Sequence, residues 1–204
     1  DLPYGADESV PLDFHSPYGC SKGAADQYFR DYARIFGLRT IVFRQSCIYG
    51  TQQFGIEDQG WVAWFVIACV LGKPLTLYGN GKQVRDVLFA GDLVDAYLAA
   101  AENIETTAGQ VYNVGGGPEN SSSLLELIEN LEKILGREIP TGFGPARAGD
   151  QPVFIADIRK LERDTGWKPK TSVRGGLAQL VDWVKANRTD IENVLAEVNA
   201  AKPA

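Results

Sequence analysis

Tyr18 and Lys22 are four positions apart in a stretch where aromatic and aliphatic residues recur at helical spacing. Residues with this separation lie on one face of a helix, with Cβ atoms about 6 Å apart. A phenol is a weak base near neutral pH, but an adjacent ammonium stabilises its phenolate. Such a tyrosine can exchange a proton with a sugar or alcohol hydroxyl while a hydride moves to a nicotinamide. From spacing alone, an exposed helix that carries the two residues by chance is the simpler interpretation.

The helix that would present this pair is predicted to begin at Ser16-Pro17 and to end at Gly37. Apolar residues recur at helical spacing between those limits. Residues 39–44 are then predicted to form a strand. Residues 1–15 mix proline, glycine and acidic residues without periodicity, so they are predicted to be a loop that leads to the helix.

Helices and strands are predicted to alternate over the rest of the chain. The helices cover residues 60–71, 91–101, 123–135, 157–165, 173–187 and 189–200, and the strands cover 74–78, 84–89, 111–114 and a short segment near 154. Residues 140–152 are predicted to be irregular, and the end of the chain from 199 to 204 is predicted to fray. The three glycines 115–117 lack the G-x-G-x-x-G spacing of a dinucleotide loop, so a turn is predicted there. The alternation predicts an α/β architecture with a mostly parallel sheet.

Composition excludes several classes of function. The 204 residues, 45% hydrophobic and 23% charged, are typical of a folded protein without low-complexity segments. A net charge of −6 argues against a nucleic-acid partner, which needs a clustered basic face. One histidine, His15, and three cysteines without a C-x-x-C pair predict no metal site and a reducing cytoplasmic location. The longest apolar run, residues 61–71, is about half of a bilayer crossing, so no membrane association is predicted.

The residues around the Tyr-Lys pair, SPYGCSKGAADQY at 16–28, resemble the active-site helix of the extended short-chain dehydrogenase/reductases that act on nucleotide sugars. Five further stretches are similar to motifs of that family and occur in the same order. They are RQSCIYG at 44–50, GNGKQVRD at 79–86, YNVG at 112–115, RAGDQ at 147–151 and GWKP at 166–169. Six ordered motifs over nearly the whole chain are far more specific than any one of them.

The resemblance implies a tightly held NAD as cofactor. Tyr18 would be the catalytic acid and base, and Lys22 would hold the nicotinamide ribose and stabilise the phenolate of Tyr18. Gln45 and Ser46 would lie beside the nicotinamide. The implied fold is the C-terminal part of a Rossmann-type doubly wound parallel sheet together with a smaller α/β substrate-binding domain.

The resemblance also implies a nucleotide-diphosphate sugar as substrate. Arg85 and Arg147 would clamp the diphosphate, since guanidinium groups match phosphate oxygens. Cys47 stands where many relatives carry an asparagine that contacts the diphosphate, so it is included among the substrate-binding positions. Without the motifs, Arg85 would be expected to form a surface ion pair with its neighbour Asp86, and Arg147 would be expected to be solvated.

Other side chains have simpler structural interpretations. Cys20 and Cys69 are predicted to be buried packing residues. His15 could face the substrate or make a structural hydrogen bond. The aromatic residues Trp61, Trp64 and Phe65 are expected in the core or at a subunit interface rather than as a base-stacking platform.

Within the family, residues 13–28, 58–62 and 79–88 most resemble the enzymes that invert C2 of a CDP-sugar. This resemblance implies oxidation at C2, turning of the keto intermediate in the pocket, and return of the hydride to the opposite face. A 4,6-dehydratase or a 4-epimerase of the same family is an alternative, because the catalytic Ser/Thr and its neighbours do not occur in this sequence. A non-catalytic module that binds a sugar nucleotide is a second alternative, although it would have no need of Tyr18 and Lys22.

The chain is predicted to comprise residues 1–50, the end of the NAD-binding portion with the Tyr-x-x-x-Lys helix, and residues 51–204, mostly a substrate-binding portion with part of the chain returning to the sheet. Because the sequence does not begin with Met and contains no dinucleotide fingerprint, we expect it to be a piece of a longer polypeptide. By itself it is expected to bind NAD poorly and to be inactive. Relatives of this kind usually associate through helices, so a homodimer or homotetramer is expected.

Overall fold

The computed structural model describes residues 2–57, 59–147 and 149–200. Asp58 and Ala148, which belong to two of the family-like stretches, lie outside the described residues. Within those ranges, no helix has both the length and the apolar character needed to cross a bilayer.

The first helix, α1 (Pro17–Phe36), has the predicted boundaries. The hydroxyl of Ser16 accepts a hydrogen bond from the amide of Gly19 at 3.0 Å and caps the first turn. Gly37 ends the helix in the left-handed conformation, with φ of 66°. The strand that follows, β1 (Val42–Gln45), begins three residues later than predicted because its limits are set by pairing with a distant strand.

The remaining elements include every predicted helix and strand, together with a four-residue helix at 104–107 and three short strands that were not predicted. In chain order they are β2 (Cys47–Tyr49), α2 (Trp61–Leu71), β3 (Leu75–Tyr78), β4 (Val84–Phe89), α3 (Ala90–Glu102), α4 (Ile104–Thr107), β5 (Val111–Val114), a 3-10 turn (Pro118–Asn120), β6 (Ser121–Ser123), α5 (Leu124–Leu135), β7 (Thr141–Gly144), β8 (Val153–Phe154), α6 (Arg159–Thr165), α7 (Val173–Ala186) and α8 (Arg188–Ala200). Helix α8 extends two residues into the stretch predicted to fray, and residues 201–204 lie outside the described ones.

The strands pair mostly in parallel, as predicted for an α/β fold. Strand β1 pairs with β5, β3 with β7, and β4 with both β2 and β8, all in parallel, while β4 and β6 are antiparallel. The described strands form three small groups rather than one continuous sheet. The α/β fold with parallel sheets is therefore confirmed.

Three short strands were not predicted. Strand β7 lies inside the stretch expected to be irregular. Two of its four residues are glycines, which are uncommon in strands, so the sequence did not predict it. Its extended conformation is held by backbone pairing with β3. Strand β6 consists of three serines that suggest a helix cap, and Ser123 does cap α5 while pairing with β4. Strand β2 is only three residues long and is defined by its ladder with β4.

The main core surrounds α2, which is apolar on all sides and buried from Val62 to Cys69 except at Trp64. Helices α5 and α7 pack against it, together with β3. A second, smaller core lies between β5, α3 and α6 and contains Trp167. Helix α1 is different, because only Gly23 and Asp26 are buried along its length.

Candidate functional site

Tyr18 and Lys22 lie on one face of α1, as their spacing predicts. The ammonium nitrogen of Lys22 is 5.4 Å from the centroid of the Tyr18 ring. The Tyr18 side chain is 72% exposed, so its hydroxyl is available to a ligand. Pro17 at the start of the helix and the Ser16 cap fix this first turn, which positions the pair.

The pair lines a cavity of about 590 Å³ between α1, β1 and the loop before α1. We call this the tyrosine cavity and define it by Phe14, Tyr18, Lys22, Gln45 and Tyr97. The carboxamide of Gln45 donates a hydrogen bond to the hydroxyl of Tyr97, which stands on α3. Sequence reasoning missed Tyr97, because nothing in its helical stretch distinguishes it from a packing residue.

A second cavity of about 420 Å³ brings together the three predicted substrate-binding residues, Cys47, Arg85 and Arg147. We call it the arginine cavity. Two further charged residues that the sequence analysis did not single out, Glu57 and Asp150, also line it. Because positive and negative side chains face the same space, the cavity contains fixed charges of both signs.

Arg85 does not pair with its neighbour Asp86, so the surface ion pair considered from the sequence is not formed. One guanidinium nitrogen of Arg85 lies 2.7 Å from a carboxylate oxygen of Asp150. The other Asp150 carboxylate oxygen accepts a hydrogen bond from the side-chain amide of Gln83 at 3.1 Å. The Arg85 side chain is 15% exposed, so it is held at the wall of the cavity instead of extending into solvent.

Arg147 lies against an aromatic ring. Its guanidinium carbon is 4.3 Å from the centroid of the Tyr78 ring, a cation–π contact. It also donates to the backbone oxygen of Glu57 at 3.5 Å, and the Tyr78 hydroxyl donates to the Glu57 carboxylate at 2.9 Å. Arg147 therefore lines the arginine cavity, although the residue as a whole is exposed to solvent.

Ser46 is placed differently from the other predicted residues, since its side chain is not among those that line either cavity. Its hydroxyl hydrogen-bonds to the carboxylate of Asp86 and to the Asp86 backbone oxygen, the latter at 2.8 Å. Asp86 is 0% exposed, and its second oxygen accepts from the amide of Gly117 at 3.2 Å. Burial raises the pKa of the Asp86 carboxyl above its ordinary value.

The glycine turn at 115–117 packs against this buried acid. A Cβ atom at Gly115 would lie 2.0 Å from an Asp86 carboxylate oxygen, and one at Gly116 would lie 2.3 Å from the backbone oxygen of Val87. The glycines therefore allow a close approach to β4, and the prediction of a turn is confirmed.

The three cysteines have three different environments. Cys69 is buried as predicted, and burial raises the pKa of its thiol to about 12. The Cys47 thiol accepts a hydrogen bond from the indole nitrogen of Trp61 at 3.5 Å, and burial raises its pKa as well. The prediction that Cys20 is buried was wrong, because α1 buries only Gly23 and Asp26 and leaves Cys20 in solvent.

The three aromatic residues of α2 belong to or pack against the core, and all three also line the arginine cavity. Phe65 is 6% exposed and belongs to the core, as expected. Trp61 and Trp64 are partly buried, pack against the same core and also line the arginine cavity. His15 lines neither cavity and forms an exposed contact with Asp13 at 3.0 Å.

The donors in the tyrosine cavity suit part of a dinucleotide. The ammonium of Lys22 and the amide of Gln45 can donate to ribose hydroxyls or to a carboxamide, and the phenol of Tyr18 can give or take a proton. These three side chains suit the nicotinamide ribose end of NAD, and the 204 residues contain no G-x-G-x-x-G stretch of the kind that binds the pyrophosphate.

Comparisons with known proteins agree with this geometry. Residues 3–115 match the model of the NAD dependent epimerase/dehydratase family. The chain is 50% identical over 191 residues to a CDP-paratose 2-epimerase from Salmonella typhi, covering 91% of this chain and 56% of that protein. It is 33% identical over 199 residues to a dTDP-glucose 4,6-dehydratase from Neisseria meningitidis, covering 92% of this chain and 54% of the relative. The chain thus spans about half the length of these curated relatives.

Two solved structures of nucleotide-sugar 4-epimerases are also similar to this chain. A UDP-glucose 4-epimerase from Thermus thermophilus in complex with NAD superposes with a TM-score of 0.80 at 28% identity, over 91% of this chain and 59% of that one. A UDP-glucuronic acid 4-epimerase from Bacillus cereus, in complex with UDP-glucuronic acid and NAD, gives a TM-score of 0.76 at 28% identity, over 87% of this chain and 54% of that one.

Proposed function

Since this chain belongs to the NAD dependent epimerase/dehydratase family, we propose that it is the substrate-binding and proton-transfer portion of an enzyme that inverts C2 of a CDP-linked sugar. The reaction would be an oxidation to a keto-sugar followed by reduction from the opposite face.

One observation carries the proposal: residues only two positions apart in the chain line the tyrosine cavity and the arginine cavity. Gln45 ends β1 and lines the tyrosine cavity, while Cys47 begins β2 and lines the arginine cavity. The Cα atoms of these two residues can be at most about 7.6 Å apart, since each peptide spans about 3.8 Å. A diphosphate held in the arginine cavity would therefore direct its sugar toward Tyr18.

Tyr18 would take the proton of the C2 hydroxyl while the hydrogen on C2 leaves as a hydride. Lys22 would stabilise the phenolate that accepts this proton. Lys22 and Gln45 would hold the nicotinamide end of NAD, which would supply the acceptor and donor of the hydride at C2. In the second half of the reaction, Tyr18 would give the proton back to the oxygen at C2, so no proton is consumed overall.

The two arginines would hold the diphosphate through both halves of the reaction. Arg85 and Arg147 line one cavity from two different segments, so together they can contact both phosphates. The keto-sugar must present its other face between the two hydride transfers. A fixed diphosphate lets the sugar turn without leaving the site.

The identity of the nucleotide and of the carbon is supported by similarity. The identity to the CDP-paratose 2-epimerase, 50%, is well above the 33% to the dTDP-glucose 4,6-dehydratase. We also propose that residues 1–50 belong to the cofactor-binding portion and that residues 51–204 form most of the substrate portion. Strand β5 pairs with β1, which supports a return of the chain to the cofactor-binding sheet.

The test uses a chimera in which this chain is joined to the segment of the Salmonella typhi relative that it does not match. The chimera should convert CDP-paratose to its C2 epimer with NAD present and without consuming NAD. Run in D2O, the reaction should leave C2 free of deuterium, because the hydride returns to the carbon that it left. Deuterium at C2, conversion of only a dTDP-sugar to a 4-keto-6-deoxy product, or binding without turnover would each contradict the proposal.

We further propose that the assembled protein is a dimer or tetramer in which α1 takes part. Tyr28, Ile35 and Phe36 on α1 are each about two-thirds exposed, and contiguous apolar surface of this kind is typical of an interface. Ile35→Lys should therefore lower the sedimentation coefficient of the chimera, whereas an unchanged assembly would exclude this face.

A further inference from the structure

Asp26 is a buried acidic residue of α1, one helical turn beyond Lys22. The buried residues of α1 are Gly23 and Asp26, and Asp26 is 7% exposed. A buried carboxylate is stable only with a cation or several hydrogen bonds, because burial removes it from water. The proposed proton transfer makes no use of Asp26, although the residue lines the same cavity as the groups that would carry it out.

Arg44 is the cation that pairs with this carboxylate. Its Nε atom donates a hydrogen bond to one carboxylate oxygen of Asp26 at 2.7 Å, and its side chain is 19% exposed. A second guanidinium nitrogen donates to the backbone oxygen of Glu8 at 3.2 Å. Arg44 belongs to β1 and directly precedes Gln45, so the ion pair joins α1 to the end of the strand at the tyrosine cavity.

The second carboxylate oxygen of Asp26 has different partners. The side-chain amide of Gln27 donates to it at 2.9 Å, and a guanidinium nitrogen of Arg30 lies 3.8 Å away. The Arg30 side chain is 45% exposed, so it approaches from solvent. Among the described residues, the first oxygen is hydrogen-bonded by Arg44 and by no other side chain.

Lys22 is close enough to compete for that first oxygen. Residues four positions apart are neighbours on a helix, and Lys22, Asp26 and Arg44 all line the tyrosine cavity. The Lys22 ammonium nevertheless lies 5.4 Å from the centroid of the Tyr18 ring. Within the described part of the chain, the ion pairs of Asp26 are with the two arginines and not with this lysine.

We propose that Arg44 is a positioning residue: by occupying the buried carboxylate of Asp26, it keeps the Lys22 ammonium beside Tyr18. The inference rests on the proposed function for the role of Lys22 in proton transfer, whereas the position of the lysine can be measured without turnover. If Arg44 is removed, the oxygen that it leaves is open to Lys22, because Arg30 is held at the other oxygen.

Burial makes this competition strong. Between exposed side chains, a lysine and an aspartate one turn apart attract each other too weakly to fix the lysine. A buried carboxylate without its cation is strongly unfavourable, so the same pair forms readily once Arg44 is gone. A lysine turned toward Asp26 no longer stabilises the phenolate of Tyr18, and kcat falls.

A simpler role for the ion pair is to anchor α1 on β1. An anchor is lost whichever partner is removed. Diversion of Lys22 is different, because it requires the charge of Asp26 to remain after Arg44 has gone. Single and double substitutions therefore distinguish a positioning role from an anchoring role.

The kinetic test uses the chimera described above. Arg44→Gln should lower kcat by about 10- to 100-fold, which is part of what a positioned proton-transfer group contributes, with the KM for the CDP-sugar within about twofold. Asp26→Asn and the double variant Arg44→Gln/Asp26→Asn should each keep kcat within about threefold, since no buried charge remains to attract Lys22. Arg30→Gln is the matched control, because it removes an arginine from the solvent side of the same carboxylate and should leave kcat unchanged.

NMR reads the position of Lys22 directly. The lysines of the chimera are methylated with 13C, which keeps their charge, and Lys22→Arg identifies the Lys22 signal. A methyl group near the Tyr18 ring is shifted by the ring current. Arg44→Gln should move this signal to the position of a solvated lysine, and the double variant should restore it.

The outcomes separate the two proposals. If the unsubstituted chimera turns over no CDP-sugar, the proposed function fails, while the Lys22 signal still decides whether Arg44 positions the lysine. An unchanged Lys22 signal in Arg44→Gln, or an equal loss of kcat in both single variants and the double variant, overturns only the role of Arg44. Melting curves, with a stabilising osmolyte added where needed, ensure that folded proteins are compared.

Discussion

A guanidinium nitrogen of Arg85 lies 2.7 Å from a carboxylate oxygen of Asp150, and both residues line the arginine cavity. Arg85 belongs to β4, and Asp150 lies in the irregular segment between β7 and β8, 65 residues away in sequence. The same carboxylate also accepts from Gln83, so one acidic side chain fixes both neighbours. An arginine held in this way presents its remaining N–H groups in a constant direction, which suits a doubly charged ligand.

Arg85→Ala should raise the KM of the chimera for a CDP-sugar by about 10- to 100-fold with a smaller effect on kcat. The loss corresponds to roughly 1.5–3 kcal/mol for a charged hydrogen bond to phosphate. Arg188→Ala is the matched control, because Arg188 pairs with Glu192 on the exposed surface of α8. Steady-state kinetics would contradict a diphosphate contact if both variants kept the original KM.

Tyr18→Phe should lower kcat by about 10²- to 10⁴-fold, since it removes only the hydroxyl that moves the proton. NAD should remain bound, and the absorbance and mass of the purified chimera would report it. Tyr28→Phe removes a hydroxyl from an equally exposed tyrosine on the same helix and should leave kcat unchanged. Full activity of the Tyr18 variant would refute proton transfer by this residue.

The buried acid beneath the site should make stability depend on pH. Burial raises the pKa of Asp86 above its ordinary value of 3.8, so the folded protein holds this proton over a range in which the unfolded chain has lost it. The contribution of Asp86 to the free energy of unfolding should therefore fall as pH rises from about 3.8 and level off above the folded pKa.

The Asp86→Asn variant has no titrating group at this position. The difference in free energy of unfolding, variant minus unsubstituted protein, should therefore increase as pH rises through this window. Urea unfolding of both proteins at several pH values would measure the difference, and the other carboxylates are common to both. A difference that stays constant or decreases with pH would contradict a raised pKa of Asp86.

Thiol labelling should distinguish the three cysteines in the order of their exposure. Cys20 is exposed and should react first with iodoacetamide, while Cys69 should stay unlabelled because it is buried and its thiol pKa is raised to about 12. Cys47 should react slowly, and a CDP-sugar in the arginine cavity should protect it further. Peptide mass spectrometry reads all three sites, and equal labelling of Cys47 with and without the CDP-sugar would argue against binding there.

The local parts of this fold could be predicted from the sequence because they depend on neighbouring residues. Helix α1 follows from apolar periodicity between a Ser-Pro start and a glycine stop, and the shared face of Tyr18 and Lys22 follows from a separation of four. The buried helix α2 follows from an uninterrupted apolar run. The alternation of elements and the ordered motifs were sufficient to predict the α/β class and the family.

What only the tertiary structure decided depends on residues that are distant in the chain. The hydroxyl of Ser46 is turned toward Asp86, 40 positions away, and Arg85 selects Asp150 instead of its neighbour. Strand β7 exists because the backbone of β3 lies alongside it, although its own residues do not favour a strand. Spacing along a helix determines which side chains share a face, and it can be read from the sequence. A buried charge or the edge of a strand pairs with the group that the fold brings within hydrogen-bonding distance, and that group can lie anywhere in the chain.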